Sequence, residues 1–347
     1  VTSAAGTSIE SSSSEPPIGV GIIGLGSIGR THAAAIAEVD GLEVVATLGG
    51  KGLPGIAAYD DVATLLADER VGAVSVCSPS GLHAEHVVAA LRAGKHVLAE
   101  KPVAVSVVEA RQVVQAAASA AEEHGVVAGA VSQRRLEPQH AHLKELIDSG
   151  QLGRPVLGEA LVRWFRDAAY YGQAAWRREA PGGGSLMNQG LHSVDLLRWL
   201  FGEVDEVAAV TGTLVADMTA EDTSVAALRF ASGALGSVVT STATKPGLPA
   251  ELNLYFTEGA VGIHHTDVVR WETDAPAPPQ ASDASSGASS PIIDTVGHRT
   301  QWADLLRAIR TGTPPMVTMA DAAATIALIE AVYESARTGA RVTPERI

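Results

Sequence analysis

The 347-residue chain predicts an α/β fold: an N-terminal doubly wound parallel sheet of the Rossmann type, then an α+β domain on a large open, mostly antiparallel sheet. Three observations carry this. From Ile18 to about Gln133, short apolar runs alternate with longer amphipathic ones, as in parallel strands joined by crossover helices. A glycine-rich turn joins the first apolar run to the first amphipathic stretch. Beyond Gln133 the texture changes to β-branched or alternating segments, as in antiparallel sheets.

The elements follow in order. Residues 1–17, with Ser11 to Ser14 and then Pro16 and Pro17, lack the basic start and apolar stretch of a signal peptide and read as a disordered tail. Strands are expected at Ile18–Ile23, Leu42–Leu48, 73–77, His96–Ala99 and 126–130, and helices at 28–37, 62–67, 82–93 and 106–123. The connection 48–59 is too short for a full crossover helix. A helix near 139–149 then leads into strands at 156–165, Val204–Gly212, Thr223–Phe230, 234–242 and 251–257. The stretch 275–291, rich in Pro, Ala and Ser, reads as an exposed loop before helices at 301–310 and 320–336. The division is therefore a tail 1–17, a dinucleotide-binding domain 18–134 and an α+β substrate and oligomerisation domain 135–347, with the C-terminal helix free to pack back on the first.

Composition narrows the function. The hydrophobic share of 46% against 18% charged residues excludes a disordered chain. With 25 Lys and Arg against 39 Asp and Glu, the net charge is −14 and the isoelectric point about 5.2, and the longest basic runs are pairs such as Arg134-Arg135. That argues against a nucleic-acid partner, because phosphate neutralisation needs a basic surface. No apolar run approaches the ~18 residues of a membrane span, so a cytoplasmic location is expected. The single cysteine, Cys77, lies among valines and reads as buried rather than reactive.

The chemistry starts at Gly24-Leu-Gly26-Ser27-Ile28-Gly29, a G-x-G-x-x-G after a strand and at a helix start. The first Gly allows the tight turn, the second lets main chain approach a pyrophosphate, and the third lets helix and strand pack closely, while the helix N-terminus supplies partial positive charge. This implies a nicotinamide dinucleotide. The acidic residue expected at the end of the second strand is missing from Ala46-Thr-Leu-Gly-Gly-Lys51. Without a carboxylate to repel a 2′-phosphate, and with Lys51 as a counter-charge, NADP is favoured over NAD.

Two more clusters fall at C-terminal strand ends, where open α/β sheets bind ligands: Ser78-Pro79-Ser-Gly-Leu-His83 and Glu100-Lys101-Pro102. A third follows three glycines, Gly182 to Gly184, where spacings of four and three place Asn188, His192 and Asp195 on one helical face. The segment Arg163-Trp-Phe-Arg166, then Tyr170-Tyr171 and Trp176-Arg177, precedes it and reads as a substrate-side wall, since aromatic faces pack on sugar C–H surfaces and Arg donates to hydroxyls or carboxylates. His264 and His265 beside Asp267 lack a further ligand at suitable spacing, as does His83 with Glu85 and His86, so no metal is expected.

With the glycine turn, Glu100-Lys101-Pro102, and the triple glycine followed by His192-x-x-Asp195, the chain resembles the Gfo/Idh/MocA oxidoreductases, named for glucose-fructose oxidoreductase and inositol dehydrogenase, over about residues 18–342. The resemblance implies an NAD(P)-dependent dehydrogenase or reductase of sugars, polyols or their derivatives. It also implies a C-terminal sheet that faces the cofactor and builds homodimers or homotetramers. The family's Glu-Lys-Pro lysine falls on Lys101 and its catalytic histidine on His192, with the primary acid/base left open between them. Many members carry Asp four residues before that histidine. Here Asn188 stands there, and with Gln189 it is suited to hydrogen-bond a substrate hydroxyl. Relatives leave two alternatives: a glycoside-processing enzyme that recycles bound nicotinamide, and a non-catalytic sensor on the same scaffold.

Overall fold

A computed structural model describes residues 16–278 and 295–347. The expected tail, except for its last two residues, and most of the expected loop 275–291 lie outside them. The first sheet contains β1 (Ile18–Ile23), β2 (Leu42–Leu48), β3 (Ala57–Tyr59), β4 (Ala73–Val76), β5 (His96–Ala99) and β6 (Ala128–Ala130), in spatial order β3-β2-β1-β4-β5-β6, all parallel. Its helices are α1 (Ser27–Ile36), α2 (Val62–Leu66), α3 (His83–Arg92) and α4 (Val107–His124). The order reverses between β1 and β4, which opens a crevice at the strands' C-terminal ends. The short connection after β2 holds no helix: it turns through Gly49, Gly50 and Gly52, all at positive φ, and returns as β3.

The end signals of α4 are written locally. The Ser106 side chain accepts from the Glu109 N–H, the Glu109 carboxylate accepts from the Val105 N–H, and Gly125 ends the helix at φ +66°.

Next come α5 (Pro138–Asp148), β7 (Pro155–Arg163), α6 (Ala168–Gly172), a π-helical turn Ser185–Gly190 and α7 (Leu191–Phe201). The second sheet adds β8 (Val204–Gly212), β9 (Thr223–Phe230), β10 (Leu235–Ser241), β11 (Glu251–Phe256), β12 (Gly259–His264) and β13 (Asp267–Glu272). Its order is β13-β12-β11-β7-β10-β9-β8, antiparallel except for the β7–β10 pair. Burial alternates along β9, so one face is core and the other exposed. The core face carries α7, which comes so close that a Cβ on Gly158 would lie 2.7 Å from a Leu197 methyl.

The last two helices, α8 (Thr295–Thr311) and α9 (Met319–Thr338), return to the first sheet. Trp302 of α8 is fully buried in a cluster with Val20, Ile22 and Ile36. The Ala130 N–H donates to the Val317 carbonyl, and Gly129 bridges to Thr318, so the segment before α9 lies along the β6 edge. α9 packs on both α4 and β8.

Candidate active site

The glycine turn has the shape its spacing predicts. Gly24 sits at φ +99°, and a Cβ there would fall 2.5 Å from the Cys77 carbonyl carbon. A Cβ on Gly29 would meet the Gly24 oxygen at 2.1 Å, whereas one on Gly26 would meet nothing within 4 Å. The open position is the one that must admit a pyrophosphate. The α1 N-terminus behind it has no side-chain cap and no acid in its first turn, so its N–H groups suit an anion. These residues fit a dinucleotide. Ser27 and Ile28 open α1, and Ile28 also packs on the adjoining core. Lys51 is exposed in the turn after β2, where Gly50 abuts the Leu25 carbonyl.

The two strand-end clusters are tied together. His83 is buried with its two ring nitrogens 2.6 Å from the Pro102 and Ser78 carbonyl oxygens, and the Ser78 hydroxyl meets His86 Nδ1 at 2.9 Å. His83 is therefore a brace between loops, and Pro79 leads into the 3₁₀ turn Ser80–Leu82. The triple glycine reaches the same place, since a Cβ on Gly182 would contact Val105 and Ser80.

Glu100 is buried. Its carboxylate faces the Nε2 atoms of His32 and His298, each at 3.1 Å, and accepts from the Lys101 N–H at 3.0 Å. The His32 tautomer follows from its other nitrogen: Nδ1 accepts from the Trp302 indole N–H at 3.1 Å, so the ring proton is on Nε2. Burial pushes the Glu100 carboxyl up, but the bonds from His298 and His32 outweigh it and hold it well below the usual carboxylate range. The ligand atoms of His32, Glu100 and His298 lie within 4.8 Å of one another, a spacing a metal could span. A protonated His32 Nε2 has no lone pair to offer one, so the cluster reads as hydrogen-bonded. Glu100, expected at the cofactor, thus supports Lys101 from behind.

Lys101 follows β5, with a cis bond to Pro102, and its Nζ donates to the Asn188 carbonyl at 3.2 Å. Burial lowers its pKa against the pull of Glu100. His192 lies in the first turn of α7, and its Nδ1 is buried without a partner among the described residues. Burial, then the positive charges of Lys101 and Arg134, push its pKa down to about 3, which keeps the imidazole neutral.

The expected stripe of Asn188, His192 and Asp195 is not one helical face. Asn188 and Gln189 sit in the π-helical turn, whose wider coil breaks the 3.6-residue spacing. Asp195 turns into the core, where it pairs with Arg135 and accepts from Ser132 and Thr325. Its carboxylate is occupied by protein and does not face the cleft. The π turn is held by buried Glu221, which accepts from the Leu186 N–H at 2.7 Å and the Ser185 hydroxyl at 3.2 Å.

The aromatic wall is partly assembled. The Tyr170 hydroxyl accepts from Gln189 Nε2 at 2.7 Å and Asn188 Nδ2 at 3.3 Å, which joins the wall to the π turn that receives Lys101. The Arg177 guanidinium stacks 4.3 Å from the Tyr170 centroid and 5.8 Å from that of Trp176. Arg163 instead pairs with Glu251 of β11 and belongs to the sheet.

Comparison with known proteins agrees with this geometry. The model of the oxidoreductase family with an NAD-binding Rossmann fold matches residues 18–128, and that of the GFO/IDH/MocA C-terminal domain matches residues 140–262. A 1,5-anhydro-D-fructose reductase of Ensifer adhaerens is 31% identical over 261 residues, 71% of this chain and 73% of that protein.

The chain belongs to the Gfo/Idh/MocA oxidoreductase family.

Other Gfo/Idh/MocA relatives cover more of it. The D-xylose 1-dehydrogenase (NADP(+)) 2 of Haloferax volcanii is 30% identical over 314 residues, 90% of this chain and 91% of that protein. The solved WlbA dehydrogenase from Bordetella pertussis, in complex with NADH and UDP-GlcNAcA, superposes with a TM-score of 0.83 at 30% identity, covering 94% of this chain and 98% of that one. In this Gfo/Idh/MocA chain, several residues around the site fall outside the sequence-derived set. Arg134 approaches His265 at 2.7 Å and bears on His192, and His32 and His298 hold Glu100. Arg166, the last residue of the expected wall segment 163–166, bonds Gln189. His298 joins Glu100 across 198 residues, for which no local pattern exists.

Proposed function

We propose that this protein is an NAD(P)-dependent dehydrogenase or reductase that acts at a secondary carbinol of a sugar, a polyol or a derivative. The bound nicotinamide would accept or return the hydride. The observation that carries the reading is the meeting of Lys101, from the first sheet, with the turn that carries Asn188 and leads into His192 of α7. Burial makes the Lys101 ammonium readier to part with its proton, so Lys101 takes the hydroxyl proton in oxidation and returns one in reduction. A neutral His192 holds the carbinol oxygen by hydrogen bond, and the Asn188 and Gln189 amides bind neighbouring hydroxyls. The named relatives, a sugar-derivative reductase and a xylose dehydrogenase, support this substrate class.

NADP remains our preferred cofactor, on the missing carboxylate after β2 and the exposed Lys51; the relatives' names include both NADP(+) and NADH. We also place the enzyme in the cytoplasm as a homo-oligomer that pairs through the exposed face of the second sheet. Val225 and Leu235 of that face are 43% and 49% exposed. Among the described residues no helix is long and apolar enough to cross a membrane.

The test is 340 nm absorbance of the purified protein against sugars, polyols and sugar acids, with NAD and NADP separately. Reduction of one cofactor is expected. Lys101→Met should abolish turnover and leave cofactor affinity nearly intact, and near-wild-type turnover in that variant would overturn the assignment.

A further inference from the structure

The charges of the site wall do not balance. Arg163 has Glu251 and Arg135 has Asp195 and Asp321, but Arg166 and Arg177 find only neutral partners among the described residues. Arg166 donates to the Phe165 carbonyl at 3.2 Å and to Gln189 Oε1 at 3.1 Å. Arg177 donates to the Tyr170 carbonyl at 3.0 Å and to Gln173 Oε1 at 2.7 Å. Each keeps a buried Nε–H with no partner among the described residues, as Arg163 also does. Both lie over the one Tyr170 ring, at 5.3 Å and 4.3 Å from its centroid, and Lys245 lies over neighbouring Phe165 at 4.9 Å. The carboxylate next in sequence, Asp167, is turned to the Tyr170 N–H as the cap of α6.

Two half-buried guanidiniums without a counter-charge are costly unless something supplies one. They do so in a protein with a net charge of −14, where carboxylates are plentiful. Desolvation weakens the water that would otherwise screen them, and the planar guanidinium fork matches a carboxylate or a phosphate in two-point contact. The Tyr170 hydroxyl between them bonds Asn188 and Gln189, and the Asn188 carbonyl holds Lys101. The cationic wall and the reacting centre are therefore parts of one connected surface.

We propose that the substrate is anionic: a sugar or polyol bearing a carboxylate or phosphate, which docks on Arg166 and Arg177 while its carbinol lies toward Lys101. This rests on the dehydrogenase reading above and deepens it by naming the substrate class.

The test titrates matched pairs into the protein saturated with its cofactor: glucose with glucuronate and with glucose 6-phosphate, and galactose with galacturonate. In at least one pair the anion is expected to bind at least about tenfold more tightly, the scale of one charge-assisted hydrogen bond, and the preference should weaken as salt rises. Preference for the uronates would identify a carboxylate, and preference for glucose 6-phosphate a phosphate. Arg166→Gln and Arg177→Gln should each remove most of the preference and raise KM more than they lower kcat. Arg166→Lys should keep part of it, and Arg92→Gln, on the exposed side of α3, should leave it unchanged. Anions that bind no better than their neutral partners in every pair, or a preference that survives both glutamine variants, would overturn the proposal. Because binding is read without turnover, the outcomes separate. Anion preference without any cofactor reduction keeps the docking site and removes the dehydrogenase reading, and turnover of neutral sugars alone does the reverse.

Discussion

Glu100 keeps its charge away from water because three N–H groups converge on it, from His32, His298 and Lys101. An ionised carboxyl in such a place persists only while its donors do. His298→Ala removes one of them and leaves the other two to carry a buried charge. We expect it to cost about 1–3 kcal/mol of stability in urea unfolding. Since Glu100 also holds the Lys101 main chain, kcat should fall with little change in cofactor affinity. An unchanged unfolding midpoint would show that the imidazole bears no part of the charge. The same residues show where sequence reading reaches its limit. Lys101 and His192 stand out because strand ends and glycine runs mark them locally. The partners of Glu100 and Asp195 come from far along the chain, Arg135 lying 60 residues from Asp195, and only the folded topology brings them near.

Among the elements, the π-helical turn Ser185–Gly190 matters most to the site, because it presents Asn188 and Gln189 and receives Lys101. Gly190 lets it press on β10: a Cβ there would fall 2.5 Å from the Thr240 side chain. Gly190→Ala is expected to cost about 1–3 kcal/mol by overpacking, and to reduce turnover with circular dichroism unchanged. Full activity would mean that the turn tolerates displacement. A π turn has no residue signature, so the sequence reading extended α-helical spacing through it and set Asp195 in the cleft. Two of the other missed elements have equally physical reasons. β3 is three residues long in a glycine-rich connection, and β13 is exposed along nearly its whole length, so neither writes an alternating pattern. Where the run is long, as in β1, buried along nearly its whole length, and in β2, β8 and β9, the expected boundaries coincide with the observed ones.

For the whole molecule, histidine burial sets a direction with pH. His32, His83, His86, His96, His192 and His265 all have pKa values lowered by burial, that of His192 to about 3. An unfolded chain takes up these protons near the ordinary histidine value of 6.5, while the folded chain resists them. Below that pH the unfolded state binds more protons, so stability falls as pH falls. Glu100 adds to the loss further down, because its folded pKa lies below its unfolded one. Thermal midpoints should therefore decline steadily from pH 6.5 to 4.5. His192→Gln, which removes one such group, should flatten the decline, and an identical slope in that variant would contradict this account.

The return of α8 to the first sheet has a consequence for synthesis. Strands β1 to β6 are all made within the first 130 residues, yet Trp302, which seals their core and fixes the His32 proton, lies 270 residues after His32. At ribosomal rates of about 5–20 residues per second, the 172 residues from Ala130, the end of β6, to Trp302 take roughly 10–35 s. For that interval the nascent nucleotide-binding sheet has an open apolar flank where Trp302 will sit. The glycine turn is among the first parts made, and the neighbourhood that steadies it is among the last.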